Sequence, residues 1–372
     1  MMTLRQLAAE PPTIPTRTSW YLTELSEAKG RQELFTRQTP QKLKVLREHA
    51  LIESAISSNR IEGVEVEQSR IGTLIFGKPA LRDREEEEVR GYRDALRLIH
   101  ESGPALDRAE RPLIERVDAL RLIHESGPAL PISDATIQRL HKMCRGNIWD
   151  AGLYKERDVD IIQKYPDGRS RIRFKTVPAG QTPSFMAQTL ELWHRGLVEK
   201  WVHPLVLLAA LNLDFLCIHP FRDGNGRVSR LLLLQSLYHC GFEVGRYISL
   251  ERLIEQNKER YYETLEQCSQ RWHEGRHDPW PYLNYLLFIL TLAYKEFEER
   301  LGQMKSPRGE KTAMVLAAIE RQVATFRIAD LQTECPGVGV DLIRHILDRL
   351  RGEKKIKCLS TGRSACWQKT EN

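Results

Sequence analysis

The sequence is short of the features that mark specialised protein classes. Its seven cysteines, at 144, 217, 240, 268, 335, 358 and 366, include no Cys-x-x-Cys pair and no Cys/His set at metal-ligand spacing. Neither a disulfide scaffold nor a structural zinc site is expected, and the pattern predicts reduced, buried thiols in a cytoplasmic protein. Long apolar runs are missing too. The longest, residues 205–211, falls far below the roughly 20 residues of a membrane-spanning helix. The opening MMTLRQLAAEPP lacks the basic, apolar, small order of a secretory signal, so no membrane partner is expected. Charge of one sign is scarce: 56 Lys+Arg against 50 Asp+Glu leave a net +6. That excess permits a phosphate or nucleic-acid partner without requiring one. What remains is ordinary globular composition, 41% hydrophobic and 28% charged, which excludes wholesale disorder. At roughly 100–200 residues per domain, a chain of 372 residues suggests two or three domains.

The sequence contains one exact internal repeat. The string DALRLIHESGPAL at 94–106 returns unchanged at 118–130, an offset of 24 residues. Solenoid repeats are longer and diverge, so a tandem duplication within or beside one helix is the simpler reading. The insert, about 94–130, is expected to carry no chemistry.

Most of the remaining chain has helical periodicity: 26–35, 40–58, 84–102, 135–144, 184–200, 204–218, 225–240, 249–274 and 280–304. Glu85 to Glu88 place acid at the start of one helix, where the dipole favours it. The exception is RDVDIIQKYPDGRSRIRFKTV at 157–177, whose β-rich halves flank Pro166-Asp167-Gly168 and predict a lone hairpin. Its edge can accept an extended peptide as an added strand. KSPRGEK at 305–311 reads as a linker, giving domains 1–304 and 305–372. Beyond it the order is helix, short helix, turn, helix, then strands around 360–363, similar to a winged helix-turn-helix.

The chemistry concentrates in His219-Pro220-Phe221-Arg222-Asp223-Gly224-Asn225-Gly226-Arg227-Val228-Ser229-Arg230, between two apolar helices. Gly224 and Gly226 let successive backbone N–H groups converge on an anion at a helix N-terminus. Arg227 and Arg230 are three apart and both can fork onto phosphate oxygens. Asp223 is a hard carboxylate suited to Mg²⁺, and His219 can take a hydroxyl proton.

This segment resembles the Fic family signature HPFx(D/E)GNGRxxR at every specified position. The resemblance covers about 20–304. It implies a mainly α fold, a Fic-type helical bundle with a β-hairpin flap, followed here by the winged helix-turn-helix domain. It also implies Mg²⁺-dependent transfer of AMP from ATP to a Ser, Thr or Tyr hydroxyl of a target protein. Carried over, His219 is the general base and Asp223 holds the metal. Asn225 and the Gly224–Gly226 backbone cradle phosphates, while Arg227 meets the β-phosphate and Arg230 the γ-phosphate. The hairpin stands where the family has its target-docking flap, placing Val159, Asp160, Ile161 and Ile162 against the target. LERLIEQNKERYYETL looks like the stretch bordering adenine, with Asn257 and Tyr261 or Tyr262 lining the base. Self-modification and a homodimer are further expectations, the dimer by family analogy alone.

Ser58-Asn59-Arg60-Ile61-Glu62-Gly63 matches the family's inhibitory pattern Ser/Thr-x-x-x-Glu-Gly/Asn. The resemblance implies an inhibitory helix over about 40–63, with Glu62 paired to Arg230 in the place of the γ-phosphate. Two other readings stay open: a de-AMPylase using the same site, and a DNA-binding regulator whose Fic core senses nucleotide. In the tail, Arg344, His345 and Arg349, with Lys354, Lys355 and Lys357 beyond them, suit duplex phosphates. Asp341 and Asp348 on the same helix suit a protein partner instead.

Overall fold

Helices dominate the computed structural model, which describes all residues except 1, 11, 39, 78–79, 102–129, 165–168, 304–309, 323–324, 336–337, 361–364 and 371–372. In chain order come α1 (Thr3–Ala9), α2 (Thr16–Gln38), α3 (Pro40–Ile61), α4 (Ile71–Phe76), α5 (Arg84–Glu101) and α6 (Asp134–Arg145). The hairpin β1 (Ile161–Lys164) and β2 (Ser170–Phe174) precedes α7 (Thr182–Glu199), α8 (Pro204–Ile218), α9 (Asn225–His239), α10 (Leu250–Gln256), α11 (Lys258–Ser269) and α12 (Trp280–Gln303). After these follow α13 (Glu310–Arg321), β3 (Phe326–Arg327), α14 (Ile328–Glu334), α15 (Val340–Gly352), β4 (Ile356–Cys358) and β5 (Cys366–Lys369). Two units separate: Met1–Thr36 with Gln41–Arg300, and Arg37–Pro40 with Leu301–Asn372.

The larger unit is organised around α8 and α9. Every residue of α8 except Pro204 and Leu216 is buried, as expected of a helix apolar on all faces. Helix α9 is buried except at Gly226 and His239, and it packs on α8, α6 and α5. Both breaks in this burial, Leu216 and Gly226, open onto one cavity. A buried carboxylate ties the chain start to this core. Asp214 on α8 accepts from the Thr3 N–H at 2.7 Å, the Leu4 N–H at 2.9 Å and the Trp272 indole at 2.8 Å. A buried acid with several N–H donors is satisfied without leaving the core. Ser133 caps α6 by accepting the Thr136 N–H.

Strands β1 and β2 pair antiparallel, with Ile162 opposite Ile172 and Lys164 opposite Ser170. The turn Pro166-Asp167-Gly168 lies outside the described residues, as do residues 304–309 at the linker and the duplicated block apart from Leu130 and 94–101, the latter belonging to α5. The stretch expected as one helix over 249–274 is broken at Asn257, where the backbone leaves helical geometry and α11 starts afresh. Helices α1 and α4 were not expected from the sequence; both are too short to show a period. Among the described residues no helix is long and apolar enough to cross a membrane.

The smaller unit has its own core, centred on Val315, Phe326, Leu331, Ile343, Leu347 and Trp367. Its sheet order is β3-β5-β4, with Trp367 facing both Phe326 and Cys358. Strands expected around 360–363 are instead β4 and β5, on either side of residues 361–364, which lie outside the described set. On α15, Arg344 faces Asp341 at 3.5 Å, Arg351 faces Asp348 at 3.1 Å, and Arg349 faces Glu353 at 3.9 Å.

Candidate active site

The loop between α8 and α9 carries the motif. His219 ends α8 in the left-handed region, φ 54°, with its N–H on the Phe215 carbonyl at 2.9 Å. Such a conformation costs a non-glycine residue roughly 1 kcal/mol or more, so neighbouring contacts must hold it. Phe221 is fully buried, its ring stacked on His141 with centroids 3.8 Å apart. Asn225 closes the loop: its side-chain oxygen accepts from the Phe221 N–H at 2.9 Å and its amide donates to the Phe221 carbonyl at 2.8 Å. Gly224, at φ 84°, lets the chain enter α9.

The imidazole of His141 is a further support. Its Nδ1 accepts from the Gly152 N–H at 2.9 Å, which leaves Nε2 to donate to the Asp223 carbonyl at 2.9 Å. Burial holds its pKa down at about 4, so the ring is neutral with one tautomer. His219 is likewise depressed to about 4, by burial first and the Lys155 charge second. Its buried Nδ1 has no hydrogen-bond partner. A neutral imidazole in that state can accept a proton at pH 7.

Charged groups form a connected set. Arg230 is buried. Its Nε donates to the Ser58 hydroxyl, and one terminal nitrogen donates to the Ser58 carbonyl and to Glu62 Oε1, each at 2.8 Å. Burial disfavours the Arg230 charge, but Glu62 together with Tyr92 and Tyr261 more than offsets this and raises its pKa. Arg227 pairs with Glu88 at 2.7 Å, and Glu88 also takes Arg145 at 2.8 Å. Arg145 reaches on to Asp223 Oδ2 at 2.8 Å, while Asp223 Oδ1 accepts from the Gly224 N–H at 2.6 Å. Burial works against ionising Asp223, yet Arg145, Arg227 and that N–H hold its pKa below the usual value.

The Glu62 carboxylate lies against Gly226, where a Cβ would overlap it. The first N–H groups of α9 have no intrahelical acceptor, so a carboxylate stands at a helix N-terminus beside an arginine fork. The pattern is that of an anion site with an anion in it. The adjoining cavity, about 200 Å³, is lined by Glu62, His219, Gly226, Arg230, Tyr261 and Tyr262, and by Ile161, Arg173 and Phe174 of the hairpin. Arg173 donates to the Tyr262 carbonyl at 2.6 Å and lies over its ring at 5.6 Å.

The residues expected from the sequence do not all converge. His219, Gly226, Arg230, Glu62, Tyr261, Tyr262 and Ile161 share the cavity. Asn257 does not line it: its amide turns back onto the Leu253 carbonyl at 2.9 Å, because it sits at the break between α10 and α11. Asn225 clasps the loop rather than facing an anion, and Arg227 is buried against Glu88. Gly224 abuts Arg145 and His141. Ser58 acts through its hydroxyl and carbonyl on Arg230, and Gly63 follows α3 at φ 83°. In the hairpin Ile162 points outward, 55% exposed, and Val159 precedes the strand, accepting from the Thr176 hydroxyl at 2.6 Å. Asp160, also before the strand, does not line this cavity.

Glu88, His141, Arg145 and Lys155 were missed. The acidic run suggested only a helix dipole for Glu88, although Glu88 and Tyr92, four apart, mark one buried face of α5.

The fold and site together define a helical domain whose central loop sets a helix N-terminus and a buried arginine beside a neutral histidine. Residues 131–237 match the Fic/DOC family. Those residues therefore form a Fic/DOC domain within the chain. The chain is similar to the protein adenylyltransferase Fic of Drosophila melanogaster, 23% identical over 195 residues, covering 50% of this chain and 37% of that protein. The protein of the same name from Nematostella vectensis is 24% identical over 219 residues, 57% of this chain and 42% of that one. The chain thus spans about two-fifths of the length of these curated relatives. In fold it resembles a Fic family protein from Desulfovibrio desulfuricans G20, TM-score 0.58 and 21% identity, over 97% of this chain and 98% of that one. A Fic domain containing signaling protein from Bacteroides thetaiotaomicron VPI-5482 gives TM-score 0.54 at 21% identity, over 76% and 100%.

Buried neutral histidines make stability depend on pH. His141, His219 and His277 are held at about 4 and His100 at about 3, each chiefly by burial. The unfolded chain takes up their protons near the ordinary value of about 6.5, while the folded chain does not. Their contribution is complete above that value and is lost as pH falls toward 4. The thermal midpoint is expected to decline between pH 6.5 and 5, where carboxylates are still ionised. A flat profile over that interval contradicts the assignment.

Proposed function

We propose that this protein transfers AMP from ATP to a hydroxyl side chain of a target protein, and that Glu62 restrains the reaction. The observation carrying this reading is the Glu62–Arg230 pair at 2.8 Å, laid across Gly226 at the start of α9. A carboxylate there occupies the position an ATP phosphate needs. The cavity beside it, about 200 Å³, is smaller than the roughly 300–1,000 Å³ of common ligand sites.

In the proposed reaction neutral His219 accepts the proton of the target hydroxyl. The hydroxyl oxygen forms a bond to the α-phosphorus, the bond to the bridging oxygen breaks, and pyrophosphate leaves. Arg230 and the free N–H groups of α9 bind and orient the phosphates, and no protein nucleophile is needed. Tyr261 and Tyr262 border the base, and the hairpin aligns the target. Arg227 acts here from behind the loop, through Glu88.

Asp223 would hold Mg²⁺, and its surroundings fit that ion. The carboxylate is ionised and its side chain is 61% exposed. Among the described residues no group of three or more His, Cys, Asp or Glu is arranged to hold a metal ion by itself. One carboxylate with phosphate and water oxygens is a common Mg²⁺ arrangement. When bound, the ion neutralises phosphate charge.

The wild type, Glu62→Gly and His219→Ala should be incubated with ATP labelled on either the α- or the γ-phosphate. We expect protein label from the α-phosphate only, at least about tenfold more in Glu62→Gly, given that one charge-assisted pair is worth about 1.5 kcal/mol or more, and none in His219→Ala. Label from γ alone contradicts AMP transfer, and equal label in wild type and Glu62→Gly contradicts the restraint.

We read the smaller unit as a winged helix on its element order, and as a protein-docking module. Each arginine of α15 already faces a carboxylate, which lowers the net positive charge this helix offers a duplex. Weak binding to duplex DNA is expected at all salt concentrations. Tight binding that collapses as salt rises, the signature of phosphate contacts, would overturn this.

A further inference from the structure

One buried lysine stands between the hairpin and the base. The Lys155 N–H donates to the Pro220 carbonyl at 2.9 Å, and its Nζ donates to the Ile218 carbonyl at 3.1 Å. A single residue thus holds both carbonyls that flank His219. Ile218 is the last residue of α8, so its carbonyl has no partner within the helix, and a cation there suits the helix dipole. The same Nζ donates to the Thr176 hydroxyl at 2.7 Å, and that hydroxyl donates to the Val159 carbonyl at 2.6 Å. Val159 precedes β1 and Thr176 follows β2, so the network closes the neck of the hairpin.

Lys155 is only 5% exposed. Burial lowers its pKa to about 8, against the pull of Asp158 and Asp160. Burying an ammonium is costly unless it is paired or hydrogen-bonded, and here its donors go to a carbonyl at the base and a hydroxyl at the hairpin. The left-handed backbone of His219, φ 54°, is the strained element that such a clamp can hold in place.

We propose that Lys155 is the positioning residue for His219 and that, through Thr176, it couples the hairpin to the base. When the hairpin is seated, the Val159–Thr176–Lys155 chain fixes the Ile218 carbonyl and with it the imidazole. When the hairpin lifts, the clamp loosens and the base loses its aim. The proposal rests on the reading that His219 acts in AMP transfer.

The test uses the full chain carrying Glu62→Gly, with Lys155→Met, Lys155→Arg and Thr176→Val added one at a time. Methionine keeps an apolar stem and removes the ammonium donors. It is expected to lower kcat by about 30-fold, within the range of a misplaced base, with KM for ATP unchanged within about twofold. Arginine, which can donate to the same acceptors, is expected to recover much of the loss. Valine at 176 keeps its shape and is expected to lower kcat by about threefold to tenfold, the size of one neutral hydrogen bond. If Lys155→Met does not fold, Thr176→Val carries the test. Hydrogen exchange supplies a readout independent of turnover. Amides of His219, Ile161 and Ile162 should exchange about tenfold faster in Lys155→Met or Thr176→Val than in the parent, with the C-terminal unit unchanged. A parent without AMP transfer overturns the functional reading, and exchange then decides the coupling alone. Unchanged exchange, a kcat within about twofold of the parent, or a loss confined to KM overturns the role of Lys155.

Discussion

The anion site at the start of α9 is the constraint around which the rest of this domain is arranged. Free N–H groups at a helix N-terminus and the buried Arg230 guanidinium call for negative charge. In this chain α3 delivers it as the Glu62 carboxylate, set over a glycine that leaves room for it. Ser58, one turn earlier on α3, takes two more Arg230 hydrogen bonds. The helix therefore satisfies the arginine with a side chain, a hydroxyl and a carbonyl at once. One terminal nitrogen of Arg230 is left buried without a hydrogen-bond partner.

Behind the anion site, side chains hold the loop geometry from several elements. Glu88 gathers Arg227 and Arg145, and Arg145 reaches Asp223. His141 supports the Asp223 carbonyl and the Phe221 ring, and Lys155 takes the two carbonyls around His219. These contacts explain how a left-handed histidine is kept in one conformation. They also separate two jobs that the motif alone merges: Arg230 faces the anion, while Arg227 and Asn225 keep the loop in shape.

Much of this was legible in the sequence because the motif is compact and its glycines, arginines and histidine have distinct physical uses. The Glu62–Arg230 pair was legible for the same reason, Glu62 standing one turn from Ser58. The helical frame followed from periodicity, and the hairpin from its β-rich halves. What was not legible depends on long-range geometry. Glu88 and Arg145 are 57 residues apart, and each alone resembles a solvated charge near a helix end. Asn257 looked like a base contact, but its amide found a nearer carbonyl one turn back. Lys155 resembled any surface lysine until the chain folded around it.

Whether Glu62 occupies a polyphosphate site can be measured by binding without turnover. Calorimetry with inorganic tripolyphosphate on the wild type and on Glu62→Gly compares the site with and without its resident carboxylate. Binding is expected to be at least about tenfold tighter in Glu62→Gly, since displacing one charge-assisted pair costs about 1.5 kcal/mol or more. Equal affinity in the two proteins would contradict it.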